Sequence, residues 1–247
     1  MIGYEDDVRI VGGWVPELLY PGGDHIGSVD VDVLLNHNNI VIDSYENIVR
    51  LLERNGYYKH ANKHFTYCKD VLISETTYIV DVDFLAGKYG GSEGRGSQHL
   101  AGIRALKATG GNFAFDFPPE EVVMEGKRTD GAFDIGHVKV ISIVPYFVMK
   151  TAALSRQKPK DAYDMYFCIQ HYDGGIRALT EQFLPYKEYE IIQTMVNTLS
   201  EKFKTVDHAG PADIVSFLLI ADEDDASRVK RDAYEKFQYL IDALKIS

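Results

Sequence analysis

Apolar residues in the first part of the chain alternate or gather in short runs, as strands do; from about residue 145 they recur every three or four positions, as helices do. Residues 1–7 are polar-rich and read as a frayed end or the start of a helix. Val8, Ile10 and Val11 predict a strand that stops at Gly12-Gly13. Trp14–Tyr20 predicts a short helix with Trp14 and Leu18 one turn apart, facing the core. Pro21-Gly-Gly-Asp-His25 is a loop, and a second strand runs from about Val29 to Leu35. After a connector, Asp43 or Ser44 caps a helix whose Ile48, Leu51 and Leu52 share a face and which ends at Asn55-Gly56. Residues 57–68 alternate like a strand pair, 69–77 are mixed, and 77–85 predict another strand.

The glycine-rich stretch 87–111 reads as a long connection, in which Arg95 and His99 could reach a phosphate chain on closing. It is not a P-loop, because no Gly-Lys-Ser/Thr follows the glycines. Residues 113–117, Val122-Val123 and 138–144 predict short strands, with Asp116, Asp130 and Asp134 in turns. Beyond Pro145, Tyr146, Met149, Ala153 and Leu154 keep one helical face, and 160–171 carries Tyr163, Phe167 and Cys168 on another. Helices at about 175–184, 186–204, 210–221 and 224–245 fill the rest. The expectation is an α+β chain with a sheet-and-helix half over 1–144 and a helical half over 145–247.

Composition narrows the classes. The chain has 247 residues, 45% hydrophobic and 26% charged, as in an ordinary soluble globular protein with a proper core. No apolar run approaches the ~20 residues of a membrane helix, and no basic-then-apolar leader opens the sequence. Two cysteines, Cys68 and Cys168, are too few for a disulfide framework or a structural zinc site, so a reducing, cytoplasmic setting and no membrane are expected. A net charge of −11 argues against a protein coated with nucleic acid, leaves room for a local basic groove, and suits a protein that concentrates Mg²⁺.

The candidate chemistry starts at Asp30 and Asp32. Strand residues two apart point to one face, so these carboxylates stand side by side, roughly 7 Å apart at the backbone. Like charges so placed repel unless a cation lies between them, and hard divalent ions prefer carboxylate oxygen. A third carboxylate comes from the other acidic strand, where Asp81 and Asp83 again alternate. Gly12-Gly13 ends a strand just before a helix, which suits a backbone passing close to phosphate. Gly27-Ser28 directly precedes Asp30. A second group is Lys150, on an apolar helix, with Arg156, Lys158 and Lys160 about a Pro-containing turn, and Asp161 and Asp164 opening the next helix.

These landmarks, in this order over roughly residues 8 to 170, resemble the AbiEii-like nucleotidyltransferases of the DNA polymerase β-like superfamily. That group includes the toxins of type IV toxin–antitoxin systems and the related MenT toxins. Its pattern is matched by Gly12-Gly13, Ser28, Asp30-x-Asp32, Asp83 and Lys150…Arg156…Lys160-Asp161-x-Tyr163-Asp164. The resemblance implies a polymerase β-like core, a small mixed sheet with flanking helices, over residues 1–144. The helical domain, 145–247, would add Lys and Asp to the active site. It implies two Mg²⁺ ions (or Mn²⁺) on Asp30, Asp32 and Asp83. Asp83 is chosen over Asp81 because Phe84-Leu85 follow it, as on the family's strand.

The resemblance also implies an NTP donor, such as ATP, held by Gly12, Gly13, Ser28, Lys150, Arg156 and Lys160. Lys150 would neutralise phosphate charge and Asp161 would orient Lys150 or the acceptor. The acceptor would be a tRNA 3′ end, a protein or a small molecule, and an antitoxin protein the partner. Relatives often carry an Arg shortly before the Ser; here only His25 occurs. The competing classes are a nucleotide-binding regulatory module without transfer, a kinase on the same carboxylates, and a structural partner in a toxin–antitoxin pair.

Overall fold

The structure is a computed structural model that describes residues 5–38, 42–88, 96–100, 103–128, 131–156 and 158–246. The fold is α+β with a mixed open sheet. It divides into two compact units, Met1–Leu19 with Ile26–Pro145, and Tyr20–His25 with Tyr146–Ser247.

The first unit holds the strands β1 (Val8–Val11), β2 (Val31–Leu35), β3 (Tyr58–Lys59), β4 (Thr66–Ile73), β5 (Thr76–Ala86), β6 (Ser97–Leu100), β7 (Ile103–Lys107), β8 (Glu120–Lys127) and β9 (Phe133–Val140). Its helices are α1 (Val15–Leu19) and α2 (Ile42–Arg54). The sheet runs β3-β4-β5-β2-β1-β9-β8, and the β6–β7 hairpin joins through β7 to β5. β2 is antiparallel to β1 and parallel to β5. Strand alternation then sorts the side chains. Val31, Val33, Leu35, Val82 and Phe84 meet Ile48, Val49 and Leu52 of α2 on one face. Asp32 and Asp83 point to the other. Burying a side chain such as Leu35 or Phe84 contributes about 1.5–3 kcal/mol. The α2-covered face therefore anchors the strands that carry the carboxylates.

Several expected elements change. The strand expected from Val29 begins at Val31, so Asp30 lies just before it. Residues 69–77 are not mixed: β4 and β5 form one continuous hairpin around Ser74-Glu75, both at positive φ. Its far end lacks a buried face, so no alternation marks it in the sequence. The 87–111 stretch is not one loop, since β6 and β7 pair within it; Arg95 and the His99 side chain lie outside the described residues. Residues 113–117 form no strand. Phe113–Asp116 is a 3₁₀ turn that sets Phe113 edge-on to Phe117 at 4.8 Å. Val122-Val123 belongs to an eight-residue strand paired with β9. Asp134 is a β9 residue rather than a turn, and Asp130 lies outside the described residues. The expected strand over 138–144 stops at Val140, and a helix begins at Ile143. Trp14 and Leu18 are only half-buried; Val15 and Pro16 fill the core instead.

The second unit is helical: α3 (Ile143–Ala153, from Tyr146 on), α4 (Pro159–His171), α5 (Gly175–Phe183), α6 (Glu190–Lys202), α7 (Ala209–Leu218) and α8 (Glu223–Leu244). Pro159 opens α4, where a missing N–H costs nothing. Asp222 caps α8 by accepting from the Asp225 amide at 2.9 Å. The Phe203 and Phe237 rings stack with centroids 3.7 Å apart, and Gly210 of α7 sits where a Cβ would come within 2.6 Å of the Phe203 ring. Among the described residues no helix is long and apolar enough to cross a membrane. Both cysteines are free and buried.

Candidate active site

In the sheet unit, Asp32 and Asp83 are register partners on the parallel strands β2 and β5, one strand spacing (about 4.8 Å) apart on the same face. On its other side Asp32 faces Val11 of β1. The chain turns at Gly12 with φ +73°, and a Cβ there would overlap the Asp32 carboxylate. The glycine pair thus ends β1 and makes room for the aspartate. Gly13 is buried in the following 3₁₀ turn, Gly12–Trp14.

Asp30 sits immediately before β2, and its carboxylate accepts a hydrogen bond from the Ser28 hydroxyl. The Thr66 hydroxyl, on the register partner of Asp83, donates to the Asp83 carboxylate at 2.5 Å. Burial pushes the Asp83 carboxyl above its ordinary range; Thr66 and Lys63 pull it down, and the nearby charges of Asp30 and Asp81 push it further up. Asp81, on the same face, forms an ion pair with Lys63 at 3.2 Å. Its charge, after burial, also helps hold the Cys68 thiol up at about 11.

The donors here are hard carboxylate oxygens of the kind Mg²⁺ prefers, and the charges of Asp30 and Asp81 add to the raised Asp83 carboxyl. Among the described residues, however, no group of three or more His, Cys, Asp or Glu side chains is already arranged to hold a metal ion. Asp30 and Asp83 are turned toward the hydroxyls of Ser28 and Thr66.

The helical unit contains a buried polar set. Lys150 Nζ, on α3, donates to Asp161 at 2.9 Å and Asp164 at 2.7 Å, both on α4. Lys160 reaches Asp164 at 2.9 Å, and His25 Nε2 lies 3.0 Å from the same carboxylate. The His25 ring stacks on Tyr163 at 5.3 Å and stands edge-on to Phe167 at 4.7 Å. Burial would discharge Lys150, but the charges of Asp164 and Asp161 outweigh it and hold the ammonium above its ordinary value. Burial likewise pushes Asp164 up, and the His25 hydrogen bond with Lys150 and Lys160 more than reverses this. One Asp161 oxygen and the Tyr146 hydroxyl are buried without a hydrogen-bond partner among the described residues. Arg156 is exposed in a 3₁₀ turn and stands outside this set.

The chain matches no family model, no curated protein and no solved structure.

Sequence reading therefore named Asp30, Asp32 and Asp83, and Lys150, Lys160 and Asp161, in two separate groups. It missed Thr66, whose role appears only once β4 is in register with β5. It placed Asp164 at the start of the second helix and in the Lys-Asp-x-x-Asp spacing but gave it no role, whereas Asp164 is the carboxylate that bonds Lys150, Lys160 and His25.

Proposed function

We propose that the protein is a nucleotidyltransferase with a polymerase β-like core, which moves an NMP from an NTP to a hydroxyl acceptor. The observation that carries this reading is the register of Asp32 with Asp83, with Gly12 clearing space beside the first. In the proposed reaction the acceptor oxygen bonds to the α-phosphorus and the bond to the β-phosphate oxygen breaks. Pyrophosphate leaves with the electron pair, and the hydroxyl proton passes to Asp81, which shares the face of Asp83. Asp30, Asp32 and Asp83 would hold Mg²⁺, which when bound supplies charge neutralisation at the phosphates. The amides at Gly12-Gly13 and the Ser28 hydroxyl offer donors to phosphate oxygens, as the end of a strand before a helical turn commonly does. In the helical unit, Lys150 is kept charged in a buried setting, and an arriving phosphate would compete with Asp161 and Asp164 for its ammonium.

The test is incubation of the full chain with each α-labelled NTP, Mg²⁺ and total RNA or protein. Pyrophosphate release with label on an acceptor is expected from the wild type, and neither from Asp32→Ala. Retained transfer by a folded Asp32→Ala would remove the basis of the proposal. A second reading, a nucleotide-binding module without transfer, is favoured by the engagement of Asp30 and Asp83 with Ser28 and Thr66. NTP binding without pyrophosphate release would select it.

A further inference from the structure

The strand that carries Asp83 is longer than the site needs. β5 spans eleven residues, but β2 pairs only with Val82–Ala86. Residues 76–81 continue with β4 as a two-stranded ribbon to the tight turn at Ser74-Glu75. Among the described residues no strand pairs with 76–81 on the side that β2 occupies farther along. Alternation places Asp83, Asp81, Ile79 and Thr77 on one face, with Thr66, Cys68, Asp70 and Leu72 opposite them on β4. The Thr66–Asp83 hydrogen bond fixes that face as the carboxylate face. Moving outward from Asp83, it presents Asp81 with its Lys63, then Asp70, which accepts from Tyr58 at 2.8 Å, level with Ile79, then Leu72. Ile79 is 55% and Leu72 65% exposed, so the apolar end of the ribbon is bare. Four strand residues put Ile79 about 13 Å from Asp83.

We propose that this ribbon is the docking platform for the acceptor, and that the acceptor is an extended polypeptide with apolar and basic residues near its hydroxyl. The inference rests on the nucleotidyl-transfer reading and adds the acceptor class. A nucleic acid backbone is bound by Lys and Arg that replace its counterions. This face carries the exposed carboxylate of Asp70 and the partly buried Asp81, which Lys63 already pairs, while Lys69 lies on the opposite face over the Tyr57 ring. A ribbon edge gives main-chain hydrogen bonds to an extended chain, and alternate side chains on it give selectivity. The carboxylates attract lysine or arginine, the bare Ile79–Leu72 pair takes an apolar side chain, and the spans from Asp83 to Ile79 and to Thr77, the partner of Leu72, match about four and about six extended residues.

The experiment offers the full chain, with Mg²⁺ and a mixture of the four α-labelled NTPs, three acceptors: a random Lys-Tyr copolymer, a Glu-Tyr copolymer and bulk tRNA. It compares the wild type with Leu72→Thr/Ile79→Thr, which keeps charge and strand preference, and with Phe133→Thr/Ile135→Thr on the exposed β9 as a control. Label is expected on the Lys-Tyr copolymer above the other two. It should fall about tenfold in the ribbon variant, as losing burial of an aliphatic pair implies, and stay unchanged in the control. Label going chiefly to tRNA, or an equal yield from the ribbon variant, overturns the acceptor inference and leaves nucleotidyl transfer standing. No label on any acceptor and no pyrophosphate released would overturn the transfer reading and this inference with it. Binding of fluorescein-labelled Lys-Tyr copolymer, read by anisotropy, decides the case if the ribbon variant melts below the wild type. Wild-type binding that the Glu-Tyr copolymer matches counts against the platform.

Discussion

The α-carbon of Gly12 lies against the carboxylate of Asp32, in a backbone conformation with φ +73°. Any side chain at Gly12 meets two penalties at once: the left-handed conformation, worth about 1–2 kcal/mol for a non-glycine residue, and displacement of the aspartate. Gly12→Ala is expected to lower stability by at least that amount in urea denaturation and to reduce transfer more than it reduces stability. A variant with wild-type stability and activity would show that the close approach has no consequence.

Asp83 should make stability sensitive to pH and to Mg²⁺. Burial, and then the charges of Asp30 and Asp81, raise its carboxyl, against Thr66 and Lys63. The native state thus holds the proton more tightly than the unfolded chain. This group's favourable contribution is present below the ordinary carboxyl range and is lost as pH rises through the raised value. At pH 7 without metal, Asp83→Asn is expected to melt above the wild type. Added Mg²⁺ should raise the wild-type Tm and leave that of the variant unmoved. Thermal melts with and without Mg²⁺ check both, and a wild-type Tm indifferent to the ion would count against a metal on these carboxylates.

The Lys150 set should show the opposite pH dependence. Asp164 is held below its ordinary value, because His25, Lys150 and Lys160 outweigh burial. Its contribution is present above the ordinary carboxyl range and lost as pH falls through the lowered value. Asp164→Asn is expected to flatten the acid limb of the stability profile. Breaking a buried pair by removing one partner costs roughly 3–5 kcal/mol, so Asp164→Ala, which leaves Lys150 with Asp161 alone, should cost about that in chemical denaturation.

His25 bonds Asp164 and packs between Tyr163 and Phe167. His25→Leu keeps apolar bulk and removes one hydrogen bond to a buried carboxylate, a loss of about 1–3 kcal/mol. The midpoint in urea should drop accordingly, and the Asp164-dependent acid limb should move to higher pH. An unchanged acid limb would mean that the lysines alone hold the carboxylate down.

Local rules were enough wherever a residue's partners lie within a few positions. The glycine pair ending β1, the alternation of Asp81 and Asp83 on one strand, the helical texture after Pro145 and the Lys-Asp-x-x-Asp spacing were all legible; Asp30 and Asp32, expected side by side on one strand, were not, because β2 begins at Val31. The far end of the β4–β5 ribbon was not, because Leu72, Ile73, Tyr78 and Ile79 are exposed and no buried face imposes alternation. The β8–β9 hairpin was read only as short strands at 122–123 and 138–144, and its full length was missed for the same reason: most of both strands is exposed. The 3₁₀ turn at Phe113 looked like a strand because a short apolar run suits either state.

The sequence by itself determined which residues carry charge and hydroxyls, the two kinds of secondary structure, and which acids can share a strand face, since these follow from side-chain chemistry and from repeats of two and 3.6 residues. Strand register is set by long-range pairing and packing, so tertiary structure alone decided that Asp83 faces Asp32, that Thr66 holds Asp83, and that Asp164 rather than Asp161 gathers His25 with both lysines.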